Sequence, residues 1–297
     1  MAIALTAALS TGCSARRFAV NRFGNALAGS GATFASDDDP ELIKAAAPFS
    51  LKLMESLLAE SPRHRGLLLA SASGFTQYSY AFVQQEADEL EPRDLAAATA
   101  LRDRSRHLYL RARDYGLRGL EVRYRGITAQ LRQDPKRAMG RVKATADVPV
   151  LYWTAAAWGS AISVSKNDPE MVADVPVVEA VVDRALALDE AFDAGAIHVF
   201  LITFELARKG ATGDPVERAR QHFDRAVELS HGQQAAPYVA WAEQVSVGRQ
   251  NRPEFEARLH QALAVDVNAR PEWRLQNLVL QRRARWLLSR TDELFVE

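Results

Sequence analysis

The chain has 297 residues, with 37 basic and 37 acidic side chains that give a formal net charge of zero. This length fits one large or two modest domains, and 48% hydrophobic residues supply enough apolar side chains for a core. The charges are balanced and interspersed, which argues against a nucleic-acid-binding protein with its concentrated basic face and indicates solvated helix surfaces.

The N-terminus is apolar and contains the single cysteine. Residues 1–12, MAIALTAALSTG, end in small residues, which is typical of the later part of a secretory signal, and they are too few to span a bilayer. LSTGC resembles the lipobox of bacterial lipoproteins, which implies that Cys13 becomes acylated; the alternative is a free thiol. Ser14 follows, and by the same resemblance a residue other than aspartate there implies the outer membrane.

A tether and one helical domain are predicted to follow. Residues 13–38 are rich in Gly, Ser, Ala and Asp, and residues 39–297 show apolar residues at helical spacing with few strand signals. Prolines punctuate this domain and suit the first helical turn, where a missing N–H costs nothing. Predicted helix starts are Pro40, Pro62, Pro92, Pro135, Pro169, Pro215, Pro253 and Pro271, with caps from Asp39, Ser61, Asp134, Asp168 and Asp214.

The first aromatic segment is LLLASASGFTQYSYAFVQQEAD, residues 67–88. Phe75, Tyr78 and Phe82 recur at helical spacing among small residues, and Tyr80 adds a polar tip nearby. Small residues between large rings either let another helix approach or leave a cavity, and the residues alone favour core packing. The carboxylates that end this segment, Glu86, Asp88 and Glu89, are predicted to face water.

A basic run occupies residues 102–126, where arginines alternate with leucines. One interpretation is a helix that binds an anionic ligand or a membrane surface. The favoured one is a helix whose arginine stems cover the core while their heads reach solvent, since Asp103, Asp114 and Glu121 are available as partners.

The second aromatic segment is PVLYWTAAAWGS, residues 149–160. It places Tyr152, Trp153 and Trp158 among alanines and a glycine without any charge. The same two outcomes, a neighbouring helix or a ligand, are open here.

Three later segments share an Ala-x-x-hydrophobic ending: DRALALDE at 183–190, DRAVELSH at 224–231 and HQALAVDV at 260–267. Their spacing lies near that of two-helix repeats, which favours a tetratricopeptide-like array over ordinary amphipathic helices. Such arrays form concave binding surfaces.

Catalytic and metal-binding motifs are absent from the sequence. The histidines lack ligand spacing, and no nucleophile elbow, phosphate loop or dinucleotide fingerprint occurs. His198 lies in an apolar run and is predicted to be a hydrogen-bonded core residue. We therefore expect no metal, no cofactor and no catalytic residues, although a hydrolase site assembled from distant segments would leave no such trace.

The segments SPRHRGLLLASASGFTQYSYAFVQQEAD and DVPVLYWTAAAWGSAIS together resemble the TatT family, the T components of TRAP transporters. The resemblance extends over about residues 40–285 and includes the repeat-like endings. It implies an all-α periplasmic lipoprotein, with tetratricopeptide-like helix hairpins around a central pore or cleft.

The resemblance also implies a function. A non-enzymatic accessory component of a solute uptake system would dock a periplasmic substrate-binding protein, associate as a homotrimer, and hold or pass an apolar organic acid or lipid-like molecule. The ligand-lining candidates are Phe75, Tyr78, Phe82, Tyr152, Trp153 and Trp158. The alternative is a generic envelope-anchored scaffold for protein–protein interaction, with a solid aromatic core and no ligand channel.

Overall fold

A computed structural model describes residues 20–208 and 210–296. All secondary structure in these residues is helical and none is strand, which confirms the all-α prediction. The helices are α1 (20–28), α2 (Gly31–Ala35), α3 (Pro40–Glu60), α4 (Arg65–Ser79), α5 (Gln85–Leu90), α6 (Leu95–Arg123), α7 (Ile127–Gln133), α8 (Pro135–Met139), α9 (Val148–Ser163), α10 (Pro169–Ala173), α11 (Val175–Leu188), α12 (Ala196–Ala207), α13 (Pro215–Leu229), α14 (Ala236–Ala240), α15 (Arg252–Leu263), α16 (Arg274–Ser289) and α17 (Thr291–Leu294).

Two helical turns of the π type and three short 3₁₀ turns interrupt this series. The first π turn, Tyr80–Gln84, joins α4 to α5, and the second, Trp241–Ser246, follows α14. The 3₁₀ turns are Thr145–Asp147, Phe192–Gly195 and Pro271–Trp273.

Helices α4, α6 and α9 form the centre of the N-terminal half. They pack closely because glycines on α6 face side chains of α9: Gly116 lies against Thr154, and Gly119 lies against Val150. Leu67 and Leu68 on α4 are fully buried beneath α3. The first aromatic segment extends through α4 and the first π turn into α5, the second lies on α9, and α4 packs against α9.

Helix α6 carries most of the basic run, and several of its arginines are paired, although of the three predicted partners only Asp114 is shown bound to one of them. Arg113 contacts Asp114, and its guanidinium also covers the ring of Trp158 at 5.1 Å. Arg102 binds Glu91 and Asp88 on the preceding segment. The arginine stems therefore lie over apolar side chains while their heads are matched by carboxylates.

The C-terminal half continues as pairs of packed helices, with α12 against α13 and α15 against α16. The alanine that begins each repeat-like ending is fully buried: Ala185 on α11, Ala226 on α13 and Ala262 on α15. The shared pattern thus marks the packed side of each helix, whereas a repeat array remains a prediction.

The two ends of the described chain meet. Helix α16 packs against both α2 and α3. Arg274 donates to the backbone oxygen of Ser36 at 2.8 Å, and Arg282 binds Glu89 at 2.7 Å. A helix near the C-terminal end of the described chain therefore packs against helices near its N-terminal end.

Most predicted proline starts are confirmed. Asp39, Asp134, Asp168 and Asp214 each accept hydrogen bonds from the amides of the helix that they precede. Two starts are wrong. Pro62 lies in a turn after Ser61, which caps the end of α3, and His64 caps α4 instead.

Pro92 lies in the turn before α6, whose cap is Asp94, because that carboxylate accepts from the amide of Ala97 at 2.9 Å. A proline up to three residues before a helix gives the same sequence pattern as one inside its first turn.

The predicted signal segment (1–12) and Cys13 lie outside the described residues. Within the predicted tether, residues 20–28 and Gly31–Ala35 are helical, and Gly24 lies close to Leu67 at the start of α4. Among the described helices, none combines the length and apolarity that a membrane span requires.

Candidate functional site

The first aromatic set is packed inside the protein. Phe75, Tyr78 and Phe82 are buried in one cluster with alanines of α6 and α9. The ring of Phe75 stacks on Tyr115 at 6.0 Å, and Tyr78 and Phe82 lie 5.7 Å apart. These rings therefore fill the space between α4 and its neighbours.

The second set divides into one buried ring and two accessible ones. Trp158 is buried, and its indole N–H donates to Asp174 at 3.0 Å. Tyr152 and Trp153 are half-buried, with ring centroids 4.9 Å apart. Tyr152 also lies 5.4 Å from Phe192, across the gap to the turn that precedes α12.

Both glycines of the aromatic segments face side chains of neighbouring helices. A Cβ on Gly74 would lie 2.8 Å from Leu51 of α3, and one on Gly159 would lie 2.9 Å from Phe200 of α12. At these two positions the small residue admits another helix. Any space for a ligand must lie beside other residues of the same segments.

Three polar side chains in or near the aromatic segments combine partial exposure with desolvation by the surrounding protein. Tyr80 and Tyr152 are half-buried and Asp193 is exposed, so water reaches all three. Burial nevertheless raises the pKa of Tyr80 to about 12, and burial, followed by the charge of Asp193, raises that of Tyr152. Burial also raises the pKa of Asp193, opposed by a hydrogen bond from Trp273. The surrounding protein therefore desolvates all three groups in part.

The turn that presents Asp193 has an unusual backbone. Asp193 and Ala194 have φ angles of 45° and 49°, and Gly195 follows with φ of 96°. Non-glycine residues rarely adopt this left-handed region, and strain of this kind clusters at functional sites. The turn places Phe192 against Tyr152 and Asp193 beside Trp273.

A cluster of charged side chains lies where the two π turns meet α16. Arg283 is buried and binds Asp88 of α5 at 3.0 Å, and it also binds Glu243 of the second π turn. Burial acts to lower the pKa of Arg283, but Glu243 and then other acidic neighbours raise it, so the arginine stays charged. We call Tyr80, Gln85, Asp88, Glu243 and Arg283 the junction.

The expectation that Asp88 and Glu89 face water is wrong. Their side chains are 19% and 21% exposed, and they bind Arg283 and Arg282 of α16. Burial, before any neighbouring charge, raises the pKa of Asp88. No local sequence pattern indicates these pairs, because Glu89 and Arg282 are 193 residues apart in the chain.

His198 is a buried, hydrogen-bonded residue, as predicted. Its Nδ1 lies 2.9 Å from Nδ1 of His222 on α13. Glu190 lies 3.5 Å from its other ring nitrogen. The pair joins α12 to α13, and no spacing in the sequence connects the two histidines.

Two shallow grooves lie along α6, and the larger is bordered by Tyr115, the ring on which Phe75 stacks. The larger has a volume of about 600 Å³ and is lined by His107, Leu110, Arg111, Asp114, Tyr115 and Arg118. Neither groove is lined by a predicted ligand-lining residue. In the part of the chain that the structure describes, no three His, Cys, Asp or Glu side chains are grouped as a metal site would require.

Comparison with known proteins gives a family and a relative. The model of the family described as "TRAP transporter T-component" matches residues 36–295. An uncharacterized protein of Treponema pallidum (strain Nichols) is 28% identical over 267 residues, which covers 89% of this chain and 83% of that protein.

Proposed function

This chain belongs to the TRAP transporter T-component family, and from that membership we propose that it docks a periplasmic substrate-binding protein and holds or passes an apolar ligand. The family is one of transporter accessory components. We propose further that this chain acts by binding alone and catalyses no reaction.

The observation that carries the ligand proposal is the position of Tyr80 and Tyr152 at the edge of the largest apolar cluster, where we propose a recess. Both tyrosines are accessible to water yet strongly desolvated, and each packs against the largest apolar cluster. Tyr80 also packs against the second cluster, formed by α14–α16. An apolar molecule between these clusters would meet ring faces along its length and hydroxyl groups at defined points.

The six ligand-lining candidates differ in their suitability. Tyr152 and Trp153 are accessible and are retained in this proposal. Phe75, Tyr78, Phe82 and Trp158 are packed against other helices, so we assign them the role of supporting the wall rather than contacting the ligand.

The docking surface has an apolar candidate on α3. Leu42 and Phe49 lie two helical turns apart on that helix and are 56% and 73% exposed. Large exposed apolar side chains on one helix face are typical of protein–protein contacts. We propose that the substrate-binding protein contacts this face.

Co-purification tests the docking proposal. Tagged full-length chain from cells that express the transporter operon should recover the substrate-binding protein, and Phe49→Ser should reduce recovery about tenfold. Val296→Ser, which alters another exposed apolar residue outside α3, is the control. Equal recovery with Phe49→Ser would reject the α3 surface, and no recovery from wild-type chain would reject docking.

Membrane anchoring through acylated Cys13, with the body in the periplasm and the anchor in the outer membrane, is a separate proposal that rests on the lipobox resemblance. Cys13→Ser should move the protein from the membrane to the soluble periplasmic fraction. Unchanged fractionation would contradict it.

A homotrimer is proposed on the family resemblance alone. Light scattering of the purified chain measures its molar mass in solution and so tests this proposal.

The alternative function is a helical scaffold without a ligand path. The buried positions of Phe75, Tyr78, Phe82 and Trp158 favour it, because these rings fill the interior. Tryptophan fluorescence and native mass spectrometry with alkyl ligands distinguish the two. A bound alkyl ligand supports the recess, and a flat response supports the scaffold.

A further inference from the structure

The junction contains buried polar atoms that the protein leaves without partners. The side chain of Gln85 is 1% exposed, and neither its amide nitrogen nor its amide oxygen has a hydrogen-bond partner. The Nη1 of Arg283 is likewise buried and unpartnered. Native proteins leave few such groups unsatisfied, so these atoms are suited to bind a partner, which is either internal water or a ligand.

These atoms converge on the hydroxyl of Tyr80. The Gln85 amide lies close enough to lower the pKa of Tyr80, although not in hydrogen-bond geometry, and the charges of Arg283 and Glu243 also act on it. The neighbouring Gln84 is already engaged, because its Oε1 accepts from Tyr109 at 2.6 Å. Of the two glutamines, Gln85 is therefore the one whose side-chain amide has no hydrogen-bond partner.

The backbone explains why the atoms are left free. A π turn widens a helix by one residue and is frequently found at functional sites. Tyr80 begins the first π turn and Gln85 directly follows it, while Glu243 lies in the second. Both π turns therefore lie beside the place where Asp88 of α5 and Arg283 of α16 meet, at the edge of the proposed recess.

The charges of the junction exclude an anionic ligand. Arg283 already faces two carboxylates, Asp88 and Glu243, and Arg102 is shared between Asp88 and Glu91. A further carboxylate would add a third negative charge beside one buried arginine, which a desolvated site disfavours. The free atoms are mainly N–H donors, and they call for an uncharged acceptor.

We propose that the junction binds the uncharged, hydrogen-bond-accepting head group, a hydroxyl or carbonyl, of the apolar ligand. Arg283 Nη1 and Gln85 Nε2 donate to its oxygen. A ligand hydroxyl in turn donates its proton to Gln85 Oε1 or to the Tyr80 hydroxyl oxygen. This inference rests on the ligand-binding function proposed above and replaces an organic acid with a neutral amphiphile such as a fatty alcohol or ester.

A pair of probes with the same alkyl chain tests the head group. With full-length chain at pH 8, isothermal titration calorimetry should show 1-decanol binding at least tenfold more tightly than decanoate. Decanoate cannot donate a hydrogen bond and its charge is repelled by Asp88 and Glu243, and these two losses together account for a tenfold lower affinity. Equal or tighter binding of decanoate would overturn the inference while leaving the apolar recess in place. Failure of both probes to bind would reject the recess as well.

Gln85→Leu provides the residue-level test. It keeps the side-chain volume but removes both free polar atoms, so 1-decanol affinity should fall about tenfold while the melting temperature of the unliganded protein stays the same or rises. Tyr80→Phe should weaken 1-decanol binding in the same direction.

Gln133→Leu, on the exposed end of α7, is the matched control and should leave binding unchanged. Undiminished 1-decanol binding by Gln85→Leu would mean that internal water, rather than a ligand, satisfies these atoms.

Discussion

At the residue scale, one buried carboxylate connects three helices. Asp147 precedes α9 and is 1% exposed. It accepts hydrogen bonds from Arg65 at the start of α4 at 2.7 Å, from Arg123 at the end of α6 at 3.0 Å, and from the Tyr124 hydroxyl at 2.6 Å. A buried carboxylate is tolerated only when paired in this way, and removing its charge leaves two arginines unmatched.

Asp147→Asn is expected to lower the free energy of unfolding by about 2 kcal/mol, at the low end for a buried ion pair because both arginines are partly exposed. Urea denaturation measures the change. Asp134→Asn is the control, since asparagine caps a helix as well as aspartate does and that exposed site should lose under about 0.5 kcal/mol. Equal losses in the two variants would contradict the role given to Asp147.

The His198–His222 pair makes stability depend on pH. A hydrogen bond between the two Nδ1 atoms needs one donor and one acceptor, so at least one ring is neutral. Burial, and next the neighbouring His198, lowers the pKa of His222 to about 4. Glu205 opposes this shift, while Arg208 and Arg218 add to it.

Because the unfolded chain binds a proton at His222 near the ordinary pKa of about 6.5, this group should destabilise the fold progressively as the pH falls from about 6.5 to about 4. The loss is on the order of up to 3 kcal/mol. Thermal unfolding at steps between pH 7.5 and 4.5 should show a smaller decrease in melting temperature for His222→Gln than for wild type. His107→Gln, at an exposed position of α6, should follow the wild-type curve; parallel curves for all three proteins would refute the assignment.

At the element scale, the central helices depend on glycines rather than on apolar side chains for their closest approach. A Cβ built on Gly116 of α6 would lie 2.2 Å from Oγ1 of Thr154 and 3.2 Å from its Cα on α9. Thr154 cannot easily turn away, because its hydroxyl donates to the backbone oxygen of Val150 at 2.5 Å. The close spacing of α6 and α9 therefore requires glycine at position 116, because glycine has no Cβ.

Gly116→Ala is expected to lower the free energy of unfolding by about 3 kcal/mol, despite the higher helix propensity of alanine. Adding Thr154→Ala should recover part of this loss, because it removes the clashing oxygen; the double variant should then be more stable than the sum of the single effects. Gly31→Ala on α2, where nothing lies within 4 Å of the added carbon, should be neutral or slightly stabilising. Additive effects at Gly116 and Thr154 would contradict the contact.

At the scale of the whole molecule, the described chain closes on itself. The N-terminal helices α2 and α3 pack against α16, and charged pairs between Arg282 and Glu89 and between Arg283 and Asp88 join the same segments. The junction lies where these distant segments meet. A chain closed in this way should open as a unit rather than from one end.

Hydrogen exchange can measure this coupling. Asp147→Asn perturbs only the α4–α6–α9 centre, but it should reduce the protection of the slowest amides in α16 by the same free energy as those in α9. Unchanged protection in α16 would show that the two halves unfold independently.

The sequence by itself determined what depends on local periodicity and local capping. It predicted the all-α class and the caps at Asp39, Asp134, Asp168 and Asp214, because each is decided within one or two helical turns. The aromatic segments also carried the resemblance to the family that the whole-chain match supports.

Only the tertiary structure decided which side chains meet. Trp158 donates to Asp174 and Phe75 stacks on Tyr115, whereas Tyr152 stays half-buried. The same spacing of aromatic residues in the sequence fits all three outcomes. Arg283 met Asp88 and Glu243 across the closure of the chain, so neither the junction nor its unpartnered Gln85 amide left a local signal. Helix periodicity fixes the face on which a residue lies, but the packing of distant helices determines what that face contacts.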